Sequence, residues 1–461
     1  MYICRRMADA GRLPGWVRKS RQQHITLMKT PESTQTGRLV SLDVFRGITI
    51  AAMVLVNNPG SWSAIYWPLS HAEWHGVTPT DYIFPFFLFI VGTAIPFSLG
   101  KRTADDLTGT HRKILVRSAA IFGAGIAISA LPLFVIGETD IPWPAKWTAA
   151  SAIIAAFYFV LARNFRAAVV LMAIWAVILA AAFISGYQIV PYHIGTMRIP
   201  GVLQRIAVCY LAASVIFLRT NWKQQAAIGA ALLLAYWLLM TAIPVPGCNF
   251  ASIDDKLCNL AAYVDRAILT EAHMWKSSRV FDPEGLLSTI PAIVTTLTGV
   301  LTGTWLRSGR SEIEKSGGMF FFGVILLAAG WIWSLIFPFN KSLWTSSYVV
   351  YTSGLALLAL SSCYWLIDIK GIKRWSKPFV IFGVNALALF VFSGIFARMI
   401  AIIKITGAEG SPVSLQQWVY LNIFLPFASP VNASLSFAVS FILFWLFQMW
   451  LLYRKGIFIK V

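Results

Sequence analysis

Two imidazoles and two carboxylates fall within eleven residues of the segment SWSAIYWPLSHAEWHGVTPTD, namely His71, Glu73, His75 and Asp81. An imidazole held by a neighbouring carboxylate suits general-base or nucleophilic work, because its unperturbed pKa of about 6.5 lies near neutrality. A metal site is the alternative chemistry. Histidines at i and i+4 without a clear third ligand are weak evidence for one, and no metal is expected. The tryptophans around them are ordinary interfacial anchors. Spacing alone does not choose between His71 and His75.

Further ionisable groups sit inside apolar segments. Each costs about 2.5–3.5 kcal/mol at a bilayer centre and so raises a functional question. The first such segment, LVSLDVFRGITIAAMVLVNNPG, carries Asp43, Arg46 and Asn57. Steps of three and four residues through Ile50 and Met53 put all three on one helical face. At 1.5 Å per residue that stripe runs about 20 Å. It reads either as an interfacial Asp–Arg pair with a capping Asn, or as a polar track lining a cavity across most of the membrane. Arg205, beside Gln204 in IPGVLQRIAVCY, reads alone as a snorkelling arginine. The segment DPEGLLSTIPAIVTTLTGVLTGTWL places Gly285, Thr289, Ala292, Thr296, Gly299 and Gly303 on one small-residue face, which predicts close helix packing. Asp282 and Glu284 at its start are either helix N-terminal carboxylates favoured by the dipole or substrate ligands.

These groups must be positioned by membrane helices. The chain is 57% hydrophobic and 12% charged, where soluble domains average about 25% charged. The segments 39–60, 79–99, 114–136, 145–162, 167–185, 200–218, 226–244, 284–306, 318–338, 343–367, 378–403 and 432–453 are each long and apolar enough to span. The expected fold is therefore an all-α, polytopic transmembrane bundle of about 12 helices. The apolar stretch 417–429 is too short to cross and reads as interfacial or re-entrant.

Charge orients the bundle. With the N-terminus in the cytoplasm, cytoplasmic segments collect 27 Lys/Arg and the opposite side nine, with Arg46 and Arg205 inside spans. The positive-inside rule then puts both termini in the cytoplasm. Loops 61–78, 245–283 and 405–431 face a periplasm or lumen. The net charge of +19 is explained by this asymmetry. No separate basic domain with interleaved aromatics exists, so nucleic acid is not an expected partner. Residues 1–38 hold eight Lys/Arg and no apolar core of signal-peptide length, and read as a disordered cytoplasmic tail before a single domain over 39–461. Of the five cysteines, only Cys248 and Cys258 share a polar loop and are placed to form a disulfide in an oxidising compartment.

The segments SLDVFRG, LVNNPG, HAEWHGVTPTDYIFPFFLFIVG, RIPGVLQRIAVCYL, DPEGLLSTIPAIV, NKSLWTSSYV, FGVNALALF and LYRKGIFIKV follow one another in order. Together they resemble the transmembrane acetyltransferase family of heparan-α-glucosaminide N-acetyltransferase and its bacterial relatives, over essentially the whole chain from Arg38. The resemblance implies that cytoplasmic acetyl-CoA donates an acetyl group to the amine of a terminal glucosamine across the membrane. It maps the family's active histidine onto His71 and its asparagine onto Asn57. It also implies roles around the pocket for Asp43, Arg46, Asp81, Arg205, Asp282, Glu284 and Asn385. The lysosomal members carry a large N-terminal lumenal region and a preceding helix that have no counterpart in this sequence, which instead carries the two additional segments 145–162 and 167–185. Both departures resemble bacterial members. They imply an inner-membrane location and a glucosamine or chitin-type acceptor rather than heparan.

On that resemblance, His71 is expected to take the amine proton or to carry the acetyl group itself, and Asn57 to stabilise the developing oxyanion. Arg46, with Asp43 and Asn385, is expected on the acetyl-CoA side. Asp81, Arg205, Asp282 and Glu284 are expected on the acceptor side. Membrane lipid is a further partner, and a homodimer is left open. The rival reading is an amino-sugar or oligosaccharide transporter, supported by the same polar stripe and the same dozen helices.

Overall fold

A computed structural model describes residues 39–100, 107–248, 250–406 and 410–459; the expected tail over 1–38 lies outside these residues. Helices dominate. In chain order they are α1 (Val40–Asn57), α2 (Ile83–Leu99), α3 (Leu107–Ala130), α4 (Trp143–Leu161), α5 (Phe165–Ile184), α6 (Val202–Arg219), α7 (Trp222–Ala242), α8 (Leu260–Leu269), α9 (Thr289–Leu306), α10 (Glu312–Ser334), α11 (Ser346–Tyr364), α12 (Lys377–Val384), α13 (Ala386–Ile402), α14 (Leu415–Val419) and α15 (Pro430–Arg454). One short antiparallel pair, β1 (Lys404–Thr406) with β2 (Pro412–Ser414), is the only sheet among the described residues. Among the described residues eleven helices are long and apolar enough to cross a membrane, or twelve if α12 and α13 count as one bent span. Helices dominate because the bilayer core offers no water to backbone N–H and C=O groups, which helices satisfy internally.

Two departures from the expected spans, and the tight link between the fourth and fifth helices, have local causes. The third helix runs over Thr108–Ala130 rather than 114–136, so Arg112, Lys113 and Arg117 lie within it. The chain leaves the helix before Pro132, which cannot continue it. The tight link between α4 and α5 forms because Arg163 takes a left-handed φ of 59° and the Asn164 side chain accepts from Ala167 N–H. The expected span 378–403 is broken at Asn385, with 72° between its halves. The stretch 417–429 folds as α14 followed by short irregular helical turns and does not span.

The small-residue face of α9 does pack closely, as its spacing predicts. A Cβ on Gly299 would lie 2.1 Å from the Phe89 carbonyl oxygen, and one on Gly303 would lie 2.4 Å from that of Thr93. The helix that follows Asp81 is thereby locked against the helix that follows Asp282 and Glu284. The core between them is filled by Leu88, Ala292, Trp344, Tyr348 and Val391.

Candidate functional site

The turn that leads into α2 is built around Asp81. Thr78-Pro79-Thr80-Asp81 forms a capping box with proline at the first helical position, an arrangement that satisfies two otherwise unpaired N-terminal donors. Asp81 Oδ2 accepts from Thr78 N–H at 3.0 Å, from the Thr78 hydroxyl at 3.1 Å and from Ala72 N–H at 3.1 Å. Its other oxygen, Oδ1, lies 2.7 Å from His71 Nδ1. The Tyr348 hydroxyl, on α11, donates to the Asp81 backbone carbonyl. Asp81 is thus fixed on every side, with 1% of its side chain exposed against 47% for His71.

This contact sets the tautomer of His71. A carboxylate oxygen can only accept, so Nδ1 carries the proton and Nε2 keeps the lone pair. An imidazole so held can take a proton or an acyl group at Nε2. Lys341 completes the cluster. Its Nζ lies 3.3 Å from His71 Nε2, 2.9 Å from Nδ1 and 3.5 Å from Asp81 Oδ1. Burial pushes the Lys341 ammonium below the ordinary lysine range, opposed by the nearby charges of Asp81 and Glu284. The turn that presents Lys341 is held by Asn340, whose Oδ1 accepts from Leu343 N–H and whose own N–H donates to the Thr345 hydroxyl.

His75 is differently employed. Its Nε2 pairs with Asp254 at 2.9 Å, while neighbouring Trp74 donates to the Ile253 carbonyl. The two contacts staple loop 61–78 to the loop carrying α8. Cys248 and Cys258 are disulfide-linked in that same loop. Among the described residues no group of three or more His, Cys, Asp or Glu side chains is arranged to hold a metal ion.

A second charged cluster adjoins the first. Arg198 donates through Nε and Nη2 to the two oxygens of Asp282, at 2.8 and 2.5 Å, and through Nη2 to Glu284 as well. Asp282 also accepts from the backbone N–H groups of Trp275 and Glu284, so its oxygens are fully engaged. These carboxylates hold the Arg198 guanidinium above its ordinary pKa against the opposing effect of burial. Asp265, on α8, receives N–H bonds from Leu286 and Asp282, and burial raises its carboxyl to about 6. Arg205 is buried, donates to Ser288 and to the Gly285 carbonyl, and lies over the Trp344 ring at 5.1 Å. Its Nε and Nη1 have no hydrogen-bond partner among the described residues.

The remaining expected residues lie elsewhere on the helices. Asn57 ends α1 with its side chain exposed, at the end of the bundle that carries His71. Asp43 and Arg46 form an i, i+3 pair at 3.0 Å near the opposite end. Asn385 is placed at that end too, two residues beyond Gly383, where a Cβ would meet the Asp43 carbonyl oxygen at 2.0 Å. The Asn385 amide bonds the Ile457 carbonyl and the Ile459 N–H, clamping the segment after α15. Lys341 and Arg198 are the site residues that sequence reasoning passed over. Both lie inside quoted motifs, NKSLWTSSYV and RIPGVLQR, and on the side poor in cations.

Fold and site together define an integral, multi-pass membrane protein with an imidazole–carboxylate–ammonium cluster at one end of its helices. Residues 38–191 match the family described as "Heparan-alpha-glucosaminide N-acetyltransferase, catalytic". The chain is 29% identical over 415 residues to the human heparan-alpha-glucosaminide N-acetyltransferase, covering 78% of this chain and 53% of that one. To the mouse protein of the same name it is 27% identical over 436 residues, covering 81% and 56%. The chain is similar to these acetyltransferases over most of its length and spans about half of theirs.

Proposed function

We propose that this chain is a transmembrane N-acetyltransferase, moving acetyl from cytoplasmic acetyl-CoA to the amine of a glucosamine-type sugar on the periplasmic or lumenal side. The observation that carries the reading is the half-exposed His71 imidazole held through Nδ1 by buried Asp81, in a relative of acetyltransferases. The side assignment rests on the excess of Lys and Arg at the end opposite His71, and an inner bacterial membrane is the setting it suits.

His71 Nε2 acts in one of two ways. As a general base it takes the proton of the attacking amine while the new N–C bond forms and the thioester C–S bond breaks. As a nucleophile it first takes the acetyl group, releasing CoA, and then passes it to the amine. In either route Asp81 keeps the proton on Nδ1 and steadies the imidazolium. Lys341 sets a positive charge beside the reacting nitrogen, where the carbonyl oxygen becomes negative. Asn57 is assigned the amide donor to that oxygen. Arg46, oriented by Asp43, is assigned to the CoA phosphates at the opposite end, with Asn385 shaping the same region.

Glu284 is the carboxylate assigned to the cationic acceptor, while Asp81, with both oxygens engaged by His71, Ala72 and Thr78, is assigned to the imidazole. Asp282 is assigned to hold Arg198, because its oxygens are saturated by protein donors. Arg205, whose Nε and Nη1 have no partner among the described residues, is assigned to acceptor hydroxyls. An acceptor screen on the purified full chain with labelled acetyl-CoA tests the proposal. CoA release that depends on glucosamine or its oligomers supports it. Sugar uptake into liposomes without acetyl-CoA, and no acetyl transfer, would make the chain a permease instead.

A further inference from the structure

A cavity of about 890 Å³ opens between α3 and the α4–α5 hairpin, within the size range of small-ligand sites. Its lining combines two chemistries. Arg112, Lys113 and Arg117 from the first turns of α3 converge with Arg163 from the α4–α5 turn, and among the described residues no carboxylate lines it. Beyond them the same face of α3 continues as Val116, Ala120 and Gly123, opposite Phe157. The stretch over Gly123 is open space, since a Cβ there meets nothing within 4 Å. Arg117 is held in place over the Tyr210 ring at 5.0 Å, a cation–π arrangement that fixes the guanidinium plane. The wall opposite is the end of α4, Phe157, Val160 and Leu161, with Phe165 of α5 beside it; Val160 and Phe165 are exposed, so this wall faces lipid. A cationic mouth at the level of a helix end, continuing into an apolar slot along a lipid-facing wall, matches a phospholipid with a negative headgroup. A soluble phosphate compound has no use for the apolar slot.

We propose that this fissure binds an anionic phospholipid, with its phosphate on Arg112, Arg117 and Arg163 and an acyl chain along Ala120 and Gly123. Arginine engages phosphate bidentately, and basic pockets between transmembrane helices select acidic headgroups. The site lies at the start of α3 and the end of α4, the end of the bundle opposite His71, and is separate from the acetyl-transfer cluster.

The test is native mass spectrometry and thermal melting of the full chain after reconstitution with equal parts phosphatidylglycerol and phosphatidylcholine. The wild type should retain phosphatidylglycerol selectively and melt higher with it. The Arg112→Gln/Arg163→Gln variant should lower that retention by on the order of tenfold or more. Gly123→Phe, which fills the slot without changing charge, should also expel the lipid. Equal retention of the two lipids, unchanged selectivity in either variant, or displacement of the lipid by inorganic phosphate or CoA would each overturn the proposal. The last outcome would reassign the cations to a soluble phosphate.

Discussion

Lys341 reaches His71 across 270 residues of sequence, its ammonium nitrogen 2.9 Å from Nδ1 and 3.3 Å from Nε2, while Asp81 Oδ1 lies 2.7 Å from the same Nδ1 and 3.5 Å from the ammonium. Carboxylate and ammonium thus stand side by side against the imidazole. The pair fixes both its tautomer and the charge at its reacting edge.

The first prediction concerns Lys341 itself. Lys341→Met removes the positive charge beside Nε2 and should lower kcat by roughly 10- to 1000-fold, as loss of one transition-state charge contact does. Because burial lowers the Lys341 pKa, its deprotonation adds an alkaline limb along which wild-type kcat/KM falls as pH rises. That limb should be missing from the variant profile. A variant with wild-type kcat and an unchanged alkaline limb would remove Lys341 from the account.

Asp81→Asn keeps the shape but lets the amide donate toward Nδ1, favouring the wrong tautomer. Turnover should fall by about 10²-fold or more, an effect of the kind seen when a buried orienting carboxylate is neutralised. The change also weakens the bonds from Thr78 and Ala72, at a cost of about 1–3 kcal/mol. A melting curve should accompany the assay. Normal turnover in a normally folded variant contradicts the assigned role.

Asp265 supplies a pH signature of stability rather than of catalysis. Burial raises its folded-state carboxyl to about 6 from an ordinary value of 3.8, so the folded state binds more protons than the unfolded state between these values. The contribution is present at pH 3.8 and below and is lost as pH rises through about 6. A shift of this size corresponds to about 3 kcal/mol. Thermal melts of wild type minus those of Asp265→Asn should show this component declining from pH 4 to 6.5. A flat difference across that window would falsify the assignment.

Close contact between α2 and α9 predicts that Gly299→Val destabilises the protein. Its Cβ would meet the Phe89 backbone oxygen at 2.1 Å, and overpacking of this kind costs roughly 1–3 kcal/mol. Activity should drop with stability, because α2 continues directly from the turn holding Asp81. Gly394→Ala, where a Cβ meets nothing within 4 Å, is the neutral control. Equal melting temperatures for the two variants would show that the helices are not so tightly apposed.

Much of the bundle is legible in the sequence, because hydropathy over about 20 residues reports directly on the helices a bilayer demands. The bend at Asn385 is not, since it depends on that side chain clamping residues 457 and 459, a contact with no local signature. The His71–Asp81 pairing is suggested by their nearness in one loop, and the Asp81 capping box is written in Thr78-Pro79-Thr80-Asp81. Lys341 and Arg198 escape notice because each is a lone cation in a loop whose partners lie 80 or more residues away. A signal was nonetheless present: on the cation-poor side of the bundle each Lys or Arg is an exception. Asp282 reads in sequence as a ligand or a cap, and only the fold brings the Arg198 guanidinium that saturates it.

The most direct measurement is transfer of labelled acetyl from acetyl-CoA to glucosamine by purified His71→Ala protein, beside wild type and His75→Ala. His71→Ala should lower the rate by at least about 10²-fold while retaining its fold. His75→Ala, which loses a contact to the mostly exposed Asp254, should keep most of the activity. Transfer by His71→Ala near the wild-type rate would show that His71 Nε2 neither takes the amine proton nor carries the acetyl group.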